Sequence, residues 1–252
     1  MDHDARIRVC LLGDLEVVRA DGSLVDPAQW RTSKTMDLLR LLALSNGHVV
    51  RSASLIEKLW PTADPERARS SLRTAASQIR RAIGTPCVVR RPDGLLLQDA
   101  WVDTQAFLHG ARRVQQAVRD GRSDDVVAIA RTTDALYRGD FHAHDDDSDW
   151  ALTERTHLVR SRQEMLTEAA DAALATGLPR EALDFAKTAV VLDPTSEGAH
   201  RALMRAHAEL GEVGSALRVF ESYRAHLAEE LGADPSRQTL ELHLQLLRAS
   251  RR

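Results

Sequence analysis

Residues 64–84 read Asp64-Pro65-Glu66-Arg67-Ala68-Arg69-Ser70-Ser71-Leu72-Arg73-Thr74-Ala75-Ala76-Ser77-Gln78-Ile79-Arg80-Arg81-Ala82-Ile83-Gly84, and this stretch decides the fold. Asp64 is a good N-cap and Pro65 suits the first helical position, where a missing N–H costs nothing. With Gly84 as a stop, the spacing predicts a helix from Pro65 to Ile83. On a wheel of about 100° per residue with Leu72 at the origin, Ala68, Ala75, Ala76, Ile79 and Ile83 fall within about 60° of it and form a face to bury. The opposite face carries Arg67, Ser70, Thr74, Ser77 and Arg81, with Arg73 and Arg80 toward one flank. A guanidinium can fork onto guanine O6 and N7, and small hydroxyls reach base edges or phosphates while letting the backbone approach. This face suits a major groove.

Working outward, Ser52 opens a second helix holding Leu55, Ile56, Leu59 and Trp60, ended by Pro61. Before it, Thr32-Ser33 offer N-caps to a helix with Met36, Leu38, Leu39, Leu41, Leu42 and Leu44, stopping near Asn46-Gly47. Residues 6–25 read as strands interrupted at Gly13-Asp14 and closed by the turn Ala20-Asp21-Gly22-Ser23. On the other side, Val88-Val89-Arg90-Arg91, the turn Pro92-Asp93-Gly94 and Leu95-Leu96-Leu97 form a hairpin. Strands, three helices and a hairpin make an α+β winged helix-turn-helix domain over residues 1–102. The N-terminal half of a recognition helix enters the groove first, which makes Arg67, Ser70, Arg73, Thr74 and Ser77 the base-reading or groove-lining candidates. Arg80 and Arg81 are placed on phosphate. Arg31, Thr32, Ser33 and Lys34, at a helix N-terminus, form a second phosphate contact, and the wing arginines Arg90 and Arg91 reach the backbone or minor groove.

From Asp103 the strand signals end and alanine-rich helices take over. Shifted by 34 residues, Gly177 falls on Gly211, Ala182 on Ala216, Leu183 on Leu217 and Phe185 on Val219. At an offset of 56, Gly121, Val126, Val127 and Ala130 fall on Gly177, Ala182, Leu183 and Ala186, which implies an inserted turn and a lengthened helix around residues 139–160. Thirty-four is the tetratricopeptide period, in which each helix pair buries its small-residue face on the next. Residues 103–252 are therefore expected to be an all-α, tetratricopeptide-like domain.

The chain has 252 residues, 43% hydrophobic and 28% charged, which fits well-cored globular domains and excludes wholesale disorder. Its net charge of −3 is unevenly spread. Residues 1–102 hold 15 Lys and Arg against 12 Asp and Glu, the remainder 19 against 25, and within 65–91 seven arginines face one acid, Glu66. A basic element on an acidic protein is the footprint of local phosphate binding. No apolar run approaches the roughly 18 residues of a membrane helix, and Met1-Asp2-His3-Asp4 opens no signal peptide, so a cytoplasmic location is expected. Cys10 and Cys87 build neither a disulfide framework nor a zinc spacing.

Thr35 to Leu44, His48-Val49-Val50-Arg51 through Leu55 to Pro61, Leu72-Arg73 and Ile79 to Gly84 together resemble the DNA-binding domain of the Streptomyces-type antibiotic regulatory proteins (SARPs). Tyr137 to Phe141, Asp149-Trp150-Ala151 with Glu154-Arg155, Leu192-Asp193-Pro194 with Glu197, and Glu230 to Ser236 are similar to the bacterial transcriptional activator domain of the same proteins. The resemblance implies an OmpR-like winged helix that reads direct repeats in double-stranded promoter DNA and recruits RNA polymerase holoenzyme to secondary-metabolite genes. It implies that the loop Trp60, Pro61, Thr62, Ala63 and Asp64 faces polymerase, and that a second protomer lies side by side with the first on DNA. Leu95 departs from it, since relatives often carry an aromatic after the wing glycine. Larger relatives append an ATPase module; no G-x-x-x-x-G-K-[ST] occurs here, which reads as a small form or an excised N-terminal portion.

Two other classes compete. Asp145-Asp146-Asp147-Ser148-Asp149 fits a D-D-x-x-D magnesium motif, beside His142-Ala143-His144, but a terpene-synthase-like enzyme needs an aromatic cavity and aromatics are 4% of the chain. No nucleophile elbow, metalloprotease motif or dinucleotide fingerprint occurs, so no catalysis, cofactor or metal is expected. The alternative is a helical-repeat scaffold or effector-binding protein whose winged helix mediates protein contacts. The arginine density of 65–91 discriminates against it, because a scaffold needs none.

Overall fold

The computed structural model describes residues 6–84, 86–144 and 148–249; the acidic run Asp145–Asp147 and the N-terminal Met1–Asp4 lie outside them. The chain forms two compact units, residues 1–108 with 136–158, and residues 109–135 with 159–252.

In the first unit β1 (Ile7–Cys10) pairs antiparallel with β2 (Glu16–Val18) and parallel with β6 (Ala100–Val102), giving the order β2-β1-β6 with Val9 between Val17 and Val102. Helices α1 (Ser33–Leu44), α2 (Ser52–Leu59) and α3 (Pro65–Ile83) follow, as the sequence predicts. Trp60 leaves α2 with φ −138° and ψ 56° and only caps it, because Pro61 allows no further helical turn. A second sheet, β3-β5-β4, joins β3 (Val50–Arg51) to the wing strands β4 (Val88–Arg91) and β5 (Gly94–Leu97). Leu38, Leu39, Leu42, Leu55, Leu59, Ile79 and Ile83 are wholly buried and form the core that the three helices share.

Gly94 differs from its expected place in the turn. It is the first residue of β5, opposite both Arg51 and Arg91, and the connection is Pro92-Asp93 alone. A Cβ on Gly94 would stand 1.9 Å from the Val50 carbonyl oxygen, so the strands meet at this register only through glycine.

Asp103 follows β6 directly and begins α4 (Asp103–Arg119). Its buried carboxylate accepts from the backbone N–H of Leu11 at 2.8 Å, Leu12 at 3.0 Å and Thr104 at 2.8 Å. Residues 136–158 return to this unit. Phe141, fully buried, bridges Leu12 and Gly13, and Tyr137 meets Phe107 edge-on at 5.3 Å.

The second unit is helical: the remainder of α4, then α5 (Ser123–Asp134), the 27-residue α6 (Asp149–Ala175) from Val159 on, α7 (Pro179–Leu192), α8 (Glu197–Glu209), α9 (Val213–Leu231) and α10 (Arg237–Ala249). The expected repeat is visible in its backbone. Gly121, Gly177 and Gly211 all take φ between +69° and +77°. After each, the next N–H reaches back five residues: Arg122 to Ala117, Leu178 to Ala173 and Glu212 to His207, at 2.8–2.9 Å. These are three copies of one glycine-terminated helix end. Ala182, Ala186 and Ala216 are fully buried between pairs, and the lengthened α6 occupies the expected insertion. The unit closes on a cluster of Met204, Ala216, Phe220 and Leu246.

Candidate nucleic-acid interface

Helix α3 is capped at both ends. The Asp64 carboxylate accepts from Glu66 N–H at 3.1 Å and Arg67 N–H at 3.3 Å, and Gly84, at φ +83°, closes the far end. Ala68, Leu72, Ala75, Ala76, Ile79, Ala82 and Ile83 are buried, so the face drawn on the wheel is the face that packs. Four of these being alanine lets the backbone seat closely on α1 and α2.

Arg67, Ser70, Arg73, Thr74, Ser77 and Arg81 are all exposed along α3, and Arg90 and Arg91 are exposed on β4. Arg80 stands apart: half-buried, it donates from Nε to the Val88 carbonyl at 2.7 Å, tying α3 to the base of the wing. At the start of α1, Arg31 and Thr32 are exposed while Ser33 and Lys34 are half-buried. The Thr32 hydroxyl accepts from Thr35 N–H at 3.2 Å as the N-cap, and Thr35 donates to Gln78 on α3 at 2.6 Å, which places this helix N-terminus beside α3. In the loop from Trp60 to Asp64, Trp60 and Ala63 are half-buried, Pro61 and Thr62 are exposed, and Asp64 serves as the α3 cap.

Three residues outside the sequence reading matter to this geometry. Arg19 donates to the Ala82 carbonyl from Nε at 3.0 Å and from Nη2 at 2.8 Å, a cation on the negative end of α3. Gln78 receives the Thr35 hydroxyl. Arg69, exposed, shares an i, i+4 spacing with Arg73, a signal available in the sequence. Arg19 gave none, being 63 residues from its acceptor. Among the described residues no group of three or more His, Cys, Asp and Glu could hold a metal ion, and no helix is long and apolar enough to cross a membrane. The backbone N–H of His144 donates to Asp37 at 3.1 Å.

The family model described as "Bacterial transcriptional activator domain" matches residues 102–247, more than half of the chain, and "Transcriptional regulatory protein, C terminal" matches residues 29–91. The chain belongs to the SARP family of transcriptional regulators. This SARP is 26% identical over 230 residues to Regulatory protein AfsR of Streptomyces griseus, covering 87% of its own length and 24% of AfsR. It therefore spans about a quarter of that relative. It is 28% identical over 256 residues to Regulatory protein DnrI of Streptomyces peucetius, covering 96% of this chain and 93% of DnrI. The structure of Mycobacterium tuberculosis EmbR in complex with a low affinity phosphopeptide superposes with a TM-score of 0.82 at 23% identity, covering 97% of this SARP and 65% of EmbR. At that identity the likeness speaks for the fold, a winged helix followed by tetratricopeptide-like helices.

Proposed function

We propose that this SARP is a sequence-specific DNA-binding activator of secondary-metabolite (antibiotic) biosynthesis genes, acting without catalysis or cofactor. Residues 1–102 carry DNA binding and residues 103–252 carry the activator role. The observation that supports the reading most is the α3 face: Arg67, Ser70, Arg73, Thr74, Ser77 and Arg81 exposed together, opposite a wholly apolar buried face. Arg67, Ser70, Arg73, Thr74 and Ser77 read or line the major groove. Arg81, Arg80 through its remaining N–H groups, and the α1 end at Arg31, Thr32, Ser33 and Lys34 grip phosphate, and Arg90 and Arg91 contact the backbone or minor groove. Direct repeats in the promoter set two protomers head to tail, a heterologous arrangement that needs no stable dimer in solution. The Trp60–Asp64 loop faces RNA polymerase holoenzyme.

The test is a titration of the protein into a labelled fragment from upstream of its neighbouring biosynthetic genes, beside a scrambled control, at several salt concentrations. Tight binding to the true fragment that falls steeply with salt is expected. Equal, weak binding to both sends the search for an operator to selection from random DNA. Absence of binding to any DNA at low salt would overturn the activator reading in favour of the scaffold.

A further inference from the structure

Between α2, α3 and the wing lies an open cleft of about 1100 Å³. Its floor is apolar: Leu72 and Leu95 are buried at its base, while Ile56 and Trp60 of the α2 end stand half-exposed along it. Its rim is cationic. Arg69, Arg73 and Arg80 from one flank of α3 and Arg90 from β4 line it, with Glu57 as the one acid among its lining residues. The volume lies slightly above the roughly 300–1,000 Å³ of small-molecule pockets, and an apolar body with a few convergent polar groups is their usual composition.

Duplex DNA uses only part of this arrangement. Phosphates satisfy the guanidiniums at the rim, but the apolar groups a stiff duplex presents are thymine methyls at the groove surface, too small to cover a recessed floor of leucine, isoleucine and tryptophan. A ligand complementary to the whole cleft has a flat or compact hydrophobic body and at least one anionic group. The anion is held by guanidinium forks, while the body stacks on Trp60 and covers Leu72 and Leu95. We propose that this cleft binds an acidic, predominantly apolar small molecule, a carboxylate, sulfonate or phosphate ester on an aromatic or alicyclic body, in competition with DNA. Competition follows from shared residues: Arg73, Arg80 and Arg90 belong both to the rim and to the DNA-facing set, so a bound anion removes the charges a duplex needs. That half of the proposal rests on the DNA reading; the site itself does not. Such a ligand lowers promoter occupancy in proportion to its concentration over its dissociation constant.

The probe is 8-anilinonaphthalene-1-sulfonate, an aromatic sulfonate, titrated into the full chain and followed by emission sensitised through tryptophan. A single saturable site is expected. Arg69→Ala is expected to weaken it about tenfold through loss of one charge-assisted hydrogen bond. Ile56→Glu, which sets a carboxylate in the cleft, is expected to abolish it, and Trp60→Phe to remove most sensitised emission, all with unchanged thermal melting curves. Ile56 is not among the DNA-facing residues, so the promoter affinity of Ile56→Glu separates ligand from DNA effects. Promoter duplex is expected to release the probe from the wild-type protein in step with DNA bound. Probe affinity unmoved by both Arg69→Ala and Ile56→Glu overturns the site, and saturation with DNA without release of probe overturns the competition. A chain that holds the probe through Arg69 and Ile56 but binds no DNA removes the activator reading while the cleft stands.

Discussion

Gly94 sits where the wing meets β3, and the absence of its side chain is what lets the strands close. Gly94→Ala is expected to cost about 1–3 kcal/mol, since the new Cβ would collide with the Val50 carbonyl oxygen and neither strand can yield without losing its ladder. Gly198, inside α8, is the control: its Cβ would meet only a methyl of Thr167 at 3.4 Å, and Gly198→Ala is expected to be neutral or to stabilise by about 0.5 kcal/mol. Thermal melts of the two variants decide it. His200 makes a second prediction. Stacked on Tyr223 at 4.3 Å with Nδ1 on the Ser196 carbonyl at 2.9 Å, it is buried, and burial holds its pKa below the ordinary histidine value. The unfolded chain therefore takes up the proton first as pH falls, so the stability that neutral His200 contributes is full above pH about 6.5 and drains away below it. The wild-type melting temperature is expected to fall more between pH 7 and 5 than that of His200→Gln; parallel decline would assign the acid sensitivity to other groups.

Among the elements, α3 was the most legible, because three independent signals coincide on it: the Asp64-Pro65 start, the Gly84 stop and an unbroken apolar face. Strands β3 and β6 carried no such signal. Two or three residues are too short for a period, and the partner of β6 lies about ninety residues away on β1. Pro-Asp-Gly is a turn signature in sequence, and only the pairing of β3 with β5 moves Gly94 out of the turn and into the strand. Of the candidate interface, the exposed α3 residues were legible from periodicity, whereas the ties of Arg80 to Val88 and Arg19 to Ala82 depend on where distant carbonyls end up. These ties sharpen what substitutions should do. Arg73→Ala is expected to cost about 1–3 kcal/mol on the true site and to relax its sequence preference, with melting unchanged. Arg90→Ala is expected to weaken binding equally on all sequences and to reduce the log–log salt slope by about 1. Selective loss of one site by Arg90→Ala would assign the wing to base reading instead.

For the molecule as a whole, the first unit needs chain from beyond residue 102. The Leu11 and Leu12 N–H groups are satisfied by Asp103, and Phe141 covers Leu12 and Gly13. A fragment ending at Val102 leaves these donors unmet and removes a buried phenyl ring worth about 3 kcal/mol or more. It is expected to melt well below a fragment of residues 1–158 and to exchange the Leu11 and Leu12 amides faster; equal melting would show that residues 136–158 add nothing to this unit. Within that unit α3 is clamped at its C-terminal carbonyl by Arg19, at its flank by the Arg80–Val88 bond and on its other side by the Thr35–Gln78 bond. The entropy of orienting it is lost when the chain folds, not when it meets a promoter. Recognition is then a rigid-body event, and calorimetry should find a heat capacity change that scales with the apolar area covered, with no added component from a helix forming on the DNA.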